Sequence, residues 1–185
     1  MELLSILKTN KNIQNYAFDD LVDEYGGAVY KFCRSLTYSK EDADDLFQET
    51  FLKVLEQLPK INASDNPKSF LFSTALYLWK SLQRKYARRN RLAPMEPLGE
   101  IAVSNVNDMT IEEDIIVQED IRTVRELVDA LPEKLRIPTI LFYTIEMGVS
   151  EIASTLEIPD GTVKSRLHTA RKLIEEGLVK IGYEQ

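Results

Sequence analysis

Between Ser39 and Pro59 the positions Ala43, Leu46, Phe47, Thr50, Phe51, Val54, Leu55 and Leu58 recur at spacings of three and four, which predicts one core-facing side of an α-helix. Asp42, Asp45, Gln48, Glu49, Lys53 and Glu56 fall off that side. Ser39, three residues before Asp42, reads as a capping-box-like start, and Pro59 as the stop. Upstream, Phe18, Leu21, Val22, Tyr25, Val29, Phe32 and Leu36 trace a helix over Ala17 to Leu36 that must pass Gly26 and Gly27. Downstream, Pro59 to Asn66 is a polar loop, and Pro67 suits the first position of a third helix reaching Arg91. That helix carries two apolar stripes, Phe70, Leu71, Ala75, Leu78 and Leu82 on one side and Phe72, Leu76, Trp79 and Tyr86 on another. Apolar residues on two sides suit the centre of a small bundle.

The periodicity lapses over 92–110, where Pro94, Pro97 and Gly99 sit among small and polar residues, as expected of an interdomain linker. It resumes over Ile111 to Leu131 through Ile115, Ile116, Ile121, Val124, Leu127, Val128 and Leu131. Pro132 starts the next helix, Pro138 should bend it ahead of Thr139 to Met147, and Gly148 should close it. Ile152, Ala153 and Leu156 then mark a short helix over Ser150 to Leu156, Ile158-Pro159-Asp160-Gly161 a break, and Val163, Leu167, Ala170 and Ile174 a further helix. Asp160 is placed to cap that last helix or to favour its N-terminus electrostatically. The expected fold is all-α: two small helical domains, 1–91 and 111–185, joined by a flexible linker at 92–110, the C-terminal one with a helix-turn-helix.

Composition agrees, with 44% hydrophobic and 29% charged residues in a chain of 185. One cysteine, Cys33, excludes an intrachain disulfide, and its apolar neighbours Val29 and Phe32 suggest a buried thiol. The first residues, MELLSILKTNKNIQNY, hold neither a signal-peptide core nor a long apolar run, so the expected compartment is the cytoplasm, without membrane insertion. A net charge of -7 looks wrong for a nucleic-acid binder, but its distribution is uneven. Glu41, Asp42, Asp44, Asp45 and Glu49 crowd one segment, whereas Lys80, Arg84, Lys85, Arg88, Arg89 and Arg91 run without an intervening acid. Two surfaces with two partners are implied, and a chain this acidic would need a larger protein to hold it on DNA.

Each patch has a plainer reading. Acids early in a helix interact favourably with its dipole, and a basic face on a helical hairpin can be merely solvated. The basic run interleaved with aromatics suits tracking a single-stranded backbone and stacking bases, while Trp79 suits the bundle centre equally. In the last helix Lys164, Ser165, His168 and Lys172 lie outside the apolar stripe, and in a helix-turn-helix the early positions approach base edges.

The wording of three stretches carries a resemblance. EDADDLFQETFLKVLEQL, SFLFSTALYLWKSLQRKYARRNR and GTVKSRLHTARKLI, the last preceded by LPEKLRIPTILFYTIEMGVSEIASTL, resemble bacterial sigma factors of the extracytoplasmic-function group of the sigma-70 family, over about Tyr16 to Leu178. The resemblance implies a non-catalytic subunit that gives core RNA polymerase its promoter specificity and helps melt DNA. By it, Asp45, Gln48 and Glu49, joined by Asp42, dock on the clamp helices of the β′ subunit, with the β subunit a further contact. Asn62, Ala63, Ser64 and Asp65 would help form a pocket for a base flipped from the minus-ten element; Lys80, Arg84, Lys85 and Arg88 would meet phosphates, with Trp79 available for stacking. Thr162 would join the surface on the minus-thirty-five element, where by their place in a helix-turn-helix Lys164, Ser165, Arg166 and His168 are the candidates for base contact and Arg171 and Lys172 for phosphate. Arg166 is the candidate for guanine, although its place beside Leu167 could aim it at the backbone. The linker threads toward the polymerase cleft in that family, but here it reads equally as a passive tether. Promoter DNA is the second partner; an anti-sigma protein is common in the family but not implied by these residues.

Two rivals compete. A polymerase-independent regulator would bind a palindromic site alone, against which the acidic and basic helices argue. An enzyme using clustered acids or a metal lacks support, because His168 lies on the reading helix, Cys33 is isolated, and no phosphate loop or nucleophile constellation occurs. No cofactor is expected.

Overall fold

The computed structural model describes residues 2–37, 39–57, 66–92 and 115–183, and among these the regular structure is entirely helical. The chain divides into two compact units, Met1–Ser104 and Asn105–Gln185. None of the described helices is long and apolar enough to cross a membrane.

The first unit holds α1 (Glu2–Leu36), α2 (Lys40–Gln57) and α3 (Pro67–Leu92). Helix α1 begins well before the expected Ala17, since no proline or glycine precedes Gly26 to halt it. It also runs through Gly26 and Gly27, where a penalty of roughly 1 kcal/mol per glycine is outweighed by the packing of Val29, Phe32 and Leu36, all buried. The starts of α2 and α3 follow the sequence signals. Ser39 Oγ accepts the Asp42 N–H at 3.0 Å, and Asn66 Oδ1 accepts the Ser69 N–H at 3.1 Å with Pro67 as the first helical residue. The core joins the α1 residues to Leu46, Phe51 and Val54 of α2 and Leu71, Phe72, Ala75, Leu76 and Trp79 of α3. Phe32 and Phe72 meet edge to face, with ring centroids 5.3 Å apart. Cys33 is buried, and that burial pushes its thiol pKa up to about 12.

The second unit holds α4 (Ile115–Asp129), α5 (Glu133–Thr139), a π-helical turn over Ile140–Thr144, α6 (Val149–Leu156) and α7 (Asp160–Lys180). Leu131, Leu135 and Ala170 pack with Ile174 at one end, and Leu141, Met147, Ile152, Val163 and Leu167 are buried under the helix-turn-helix. Near the α4–α5 junction the buried Arg136 places its Nε 3.2 Å from Asp129 Oδ1. The apolar stripe expected of α4 is only partly covered: Leu127 and Val128 are half-buried, but Ile121 and Val124 are 48% and 41% exposed.

Around Pro138 the structure corrects the sequence reading. There is no regular helix from Thr139 to Met147; α5 ends at Thr139 and the backbone widens at once, the Ile145 N–H reaching Ile140 O at 3.2 Å. Proline has no N–H for the carbonyl four residues back and its ring crowds it, so the helix loosens there. Nor does Gly148 close that helix. The left-handed residue is Glu146, at φ 57°, while Gly148 is extended and is the N-cap of α6, its N–H donating to Glu151 Oε2 at 2.7 Å.

Candidate polymerase and nucleic-acid interfaces

On α2 the side opposite the core presents Glu41, Asp42, Asp45, Gln48 and Glu49, all exposed. Asp44, in the same acidic segment, serves the fold instead by accepting the Tyr30 hydroxyl at 2.8 Å. Toward the C-terminus of α2 the exposed surface turns apolar, with Leu52 61% and Leu55 41% exposed. Leu55 therefore leaves the core set to which the spacing assigned it. Asp45, Gln48, Leu52 and Leu55, spaced three, four and three apart, form one exposed stripe, acidic at one end and apolar at the other. Lys53 and Glu56 flank it as an exposed ion pair at 2.9 Å, and Glu56 raises the Lys53 pKa through that hydrogen bond and its charge.

Helix α3 changes character along its length. Apart from Tyr77, which is 62% exposed, its apolar residues are buried or half-buried as far as Leu82, after which Arg84, Lys85, Tyr86, Arg88 and Arg89 are all exposed, as Lys80 already is. No Asp or Glu occurs in the helix, so its second half is a purely cationic surface with Tyr86 on it. Trp79 is 5% exposed. Of its two sequence readings the bundle centre holds, and the indole is not on the surface where a base could stack. Asn62, Ala63, Ser64 and Asp65 lie outside the described residues.

The helix-turn-helix is α6 and α7. Its break differs in detail from the expected one: α6 ends on Glu157, a left-handed residue at φ 53°, ψ 45°, and Gly161 already lies within α7. Asp160 makes no side-chain cap. As the first residue of α7 it still places a carboxylate at the positive end of the helix, and its Oδ2 accepts the Ser150 hydroxyl at 2.7 Å, tying the starts of α6 and α7 together. Val163, Leu167 and Ala170 are buried. Lys164, Ser165, His168, Arg171 and Lys172 are exposed, Thr162 and Arg166 half-buried. Lys172 lies 3.9 Å from Glu176, and Ser165 and Thr169 donate to the carbonyls of Thr162 and Ser165 at 3.0 and 2.9 Å.

With this geometry in place, comparison with known proteins is decisive. Residues 21–89 match the family described as Sigma-70 region 2, and residues 121–174 that described as Sigma-70, region 4. The chain is 30% identical over 181 residues to the RNA polymerase sigma factor HrpL of Pseudomonas syringae pv. syringae, covering 94% of each. It is 28% identical over 177 residues to the ECF RNA polymerase sigma factor SigW of Bacillus subtilis, covering 93% of this chain and 94% of the relative. The chain belongs to the sigma-70 family, in its extracytoplasmic-function group. Among solved structures, this sigma factor resembles in fold RpoE from Bartonella quintana, crystallised with the anti-sigma factor NepR, at a TM-score of 0.72 and 22% identity over 88% of this chain and 96% of that one. CnrH, solved with the cytosolic domain of CnrY, gives a TM-score of 0.66 at 20% identity, over 91% and 90%.

The region 2 match of the sigma factor spans both the α2 stripe and the cationic half of α3, and the region 4 match spans the helix-turn-helix. Sequence reasoning missed the apolar end of the α2 stripe, since Leu52 and Leu55 differ from core leucines only in what packs over them. Nor did it bring Lys134, exposed on α5, together with Arg166 of α7, beside which it lines one hollow, because no periodicity links residues on different elements.

Proposed function

We propose that the two units of this sigma factor divide the work of promoter recognition. The exposed face of Asp42, Asp45, Gln48 and Glu49 docks on the β′ clamp helices of core polymerase, acid against base, with Leu52 and Leu55 adding apolar contact. The cationic half of α3, through Lys80, Arg84, Lys85 and Arg88, holds the phosphates of the minus-ten element as it opens, next to a base pocket formed by Asn62, Ala63, Ser64 and Asp65. In the second unit α7 enters the major groove of the minus-thirty-five element, with Thr162, Lys164, Ser165 and His168 nearest the bases and Arg171 and Lys172 nearest the backbone. The β subunit holds this unit on the enzyme. The chain works by binding and deforming DNA while polymerase supplies the chemistry, which places it in the bacterial cytoplasm and requires no cofactor. An anti-sigma factor is the regulatory partner to look for, since RpoE of this fold was solved bound to one.

The observation that carries this reading is the pairing, within one small unit, of an exposed acidic face on α2 with an acid-free cationic face on α3. A net charge of -7 disfavours free binding to DNA, whereas docking through the acids leaves the cations for nucleic acid. The test is transcription from a randomised promoter library by core polymerase with and without the full chain. The reading expects start sites that depend on the chain and share two upstream elements; a chain that protects palindromic DNA without core polymerase would refute it.

A further inference from the structure

Where α5 meets α7, Lys134, Leu135, Thr162, Ser165, Arg166 and Thr169 line a hollow open to solvent. Leu135 is buried and gives it an apolar wall, and among the described residues no acid lines it. The Ser165 and Thr169 hydroxyls spend their protons on helix carbonyls, so the charged donors at the hollow are the Lys134 ammonium and the Arg166 guanidinium. Among the described residues neither cation takes part in an ion pair, in contrast to Lys172 with Glu176 and Arg136 with Asp129. Two cations from different helices, outside any ion pair among the described residues and lining one hollow that no described acid lines, suit an anion, in a chain of net charge -7. The hollow lies against Thr162 and Ser165 in the first turns of α7, the end of a recognition helix that approaches the duplex. Arg166 is half-buried there, whereas Lys164 and His168 are exposed.

We propose that this hollow seats one backbone phosphate of the minus-thirty-five duplex between Lys134 and Arg166, and that Arg166 is a positioning residue and not a reader of guanine. The proposal rests on the reading of α7 as the DNA-entering helix. It assigns Lys134, on a helix outside the helix-turn-helix, a phosphate contact that strengthens the hold of this unit on the duplex without reading its bases.

The test uses holoenzyme, full chain on core polymerase, with promoter duplexes in which the phosphates around the minus-thirty-five element are replaced one at a time by uncharged methylphosphonates. Wild type should lose affinity at one phosphate to which Lys134→Ala is indifferent, and Lys134→Arg should restore the sensitivity. Lys134→Ala should also make the slope of log affinity against log salt less negative by about 0.9, so that it loses roughly three- to fourfold less affinity than wild type between about 50 and 200 mM salt. Base preference in a randomised element should survive both Lys134→Ala and Arg166→Ala. A wild-type methylphosphonate pattern and salt slope in Lys134→Ala would overturn the seat, and relaxed discrimination at one base pair in Arg166→Ala would overturn its positioning role. Wild-type holoenzyme insensitive to every phosphate near that element would overturn this proposal together with the reading of α7 beneath it.

Discussion

Two glutamates flank α6 in left-handed conformations that favour glycine, which makes Glu157→Gly a sharp test of the geometry. Glu157 ends α6 at φ 53°, and Glu146 sits before it at φ 57°. A left-handed conformation costs a non-glycine residue roughly 1–2 kcal/mol, of which glycine gives back about 0.5–1 kcal/mol through its greater loss of freedom on folding. Relief of about 0.5–1 kcal/mol is expected at each site. At Glu157 a further ~0.3 kcal/mol comes from removing a carboxylate from the negative end of the α6 dipole, so Glu157→Gly should stabilise more than Glu146→Gly. For a unit the size of Asn105–Gln185, about 1 kcal/mol corresponds to a Tm rise of roughly 4–8 °C. The assay is thermal unfolding of the full chain by far-UV circular dichroism, with the fluorescence of Trp79, the single tryptophan, recorded in parallel. Trp79 lies in the first unit and should report an unchanged transition there. A Tm lowered or unmoved by Glu157→Gly would refute the strain assigned to this turn.

Trp79→Ala, which empties a site only 5% exposed, should destabilise the first unit by about 3–5 kcal/mol, read as a lower urea midpoint of its circular dichroism transition. The Cys33 thiol should be inert to thiol reagents at pH 8 until urea is added. Because folding raises its pKa to about 12, the stability it contributes is complete below about pH 9 and lost as the pH rises toward 12; the urea midpoint relative to Cys33→Ala should fall across that window. Arg84→Ala with Lys85→Ala should slow promoter opening while leaving the fold intact, since both side chains are exposed, and a pre-melted template should recover most of the loss in a permanganate footprint.

Most of the fold is legible in the chain because its signals are local. Ser39, Asn66 and Pro67 mark helix starts by their own chemistry, and the spacing of Val163, Leu167 and Ala170 fixes which side of α7 is buried. What fails is what depends on neighbours. Glycine at 148 suggested a stop, yet the left-handed conformations fell on Glu146 and Glu157, against the local preference of both residues. Leu55 fits the α2 core stripe by spacing but stays 41% exposed, and Ile121 and Val124 on α4 repeat the lesson. For the interfaces, the polarity of the α2 and α3 faces can be read directly from residue order. The burial of Trp79 and the convergence of Lys134 on Arg166 required the assembled bundle.

The claim on which everything else depends is that the acidic face of α2 is the handle by which core polymerase carries this sigma factor to DNA. Asp45→Lys with Glu49→Lys reverses that face at two exposed side chains, so the helical content should not change. The decisive measurement is co-purification of this double variant with core polymerase, beside wild type. The account predicts that the variant is lost from the complex while its circular dichroism spectrum matches wild type; binding equal to wild type would contradict it.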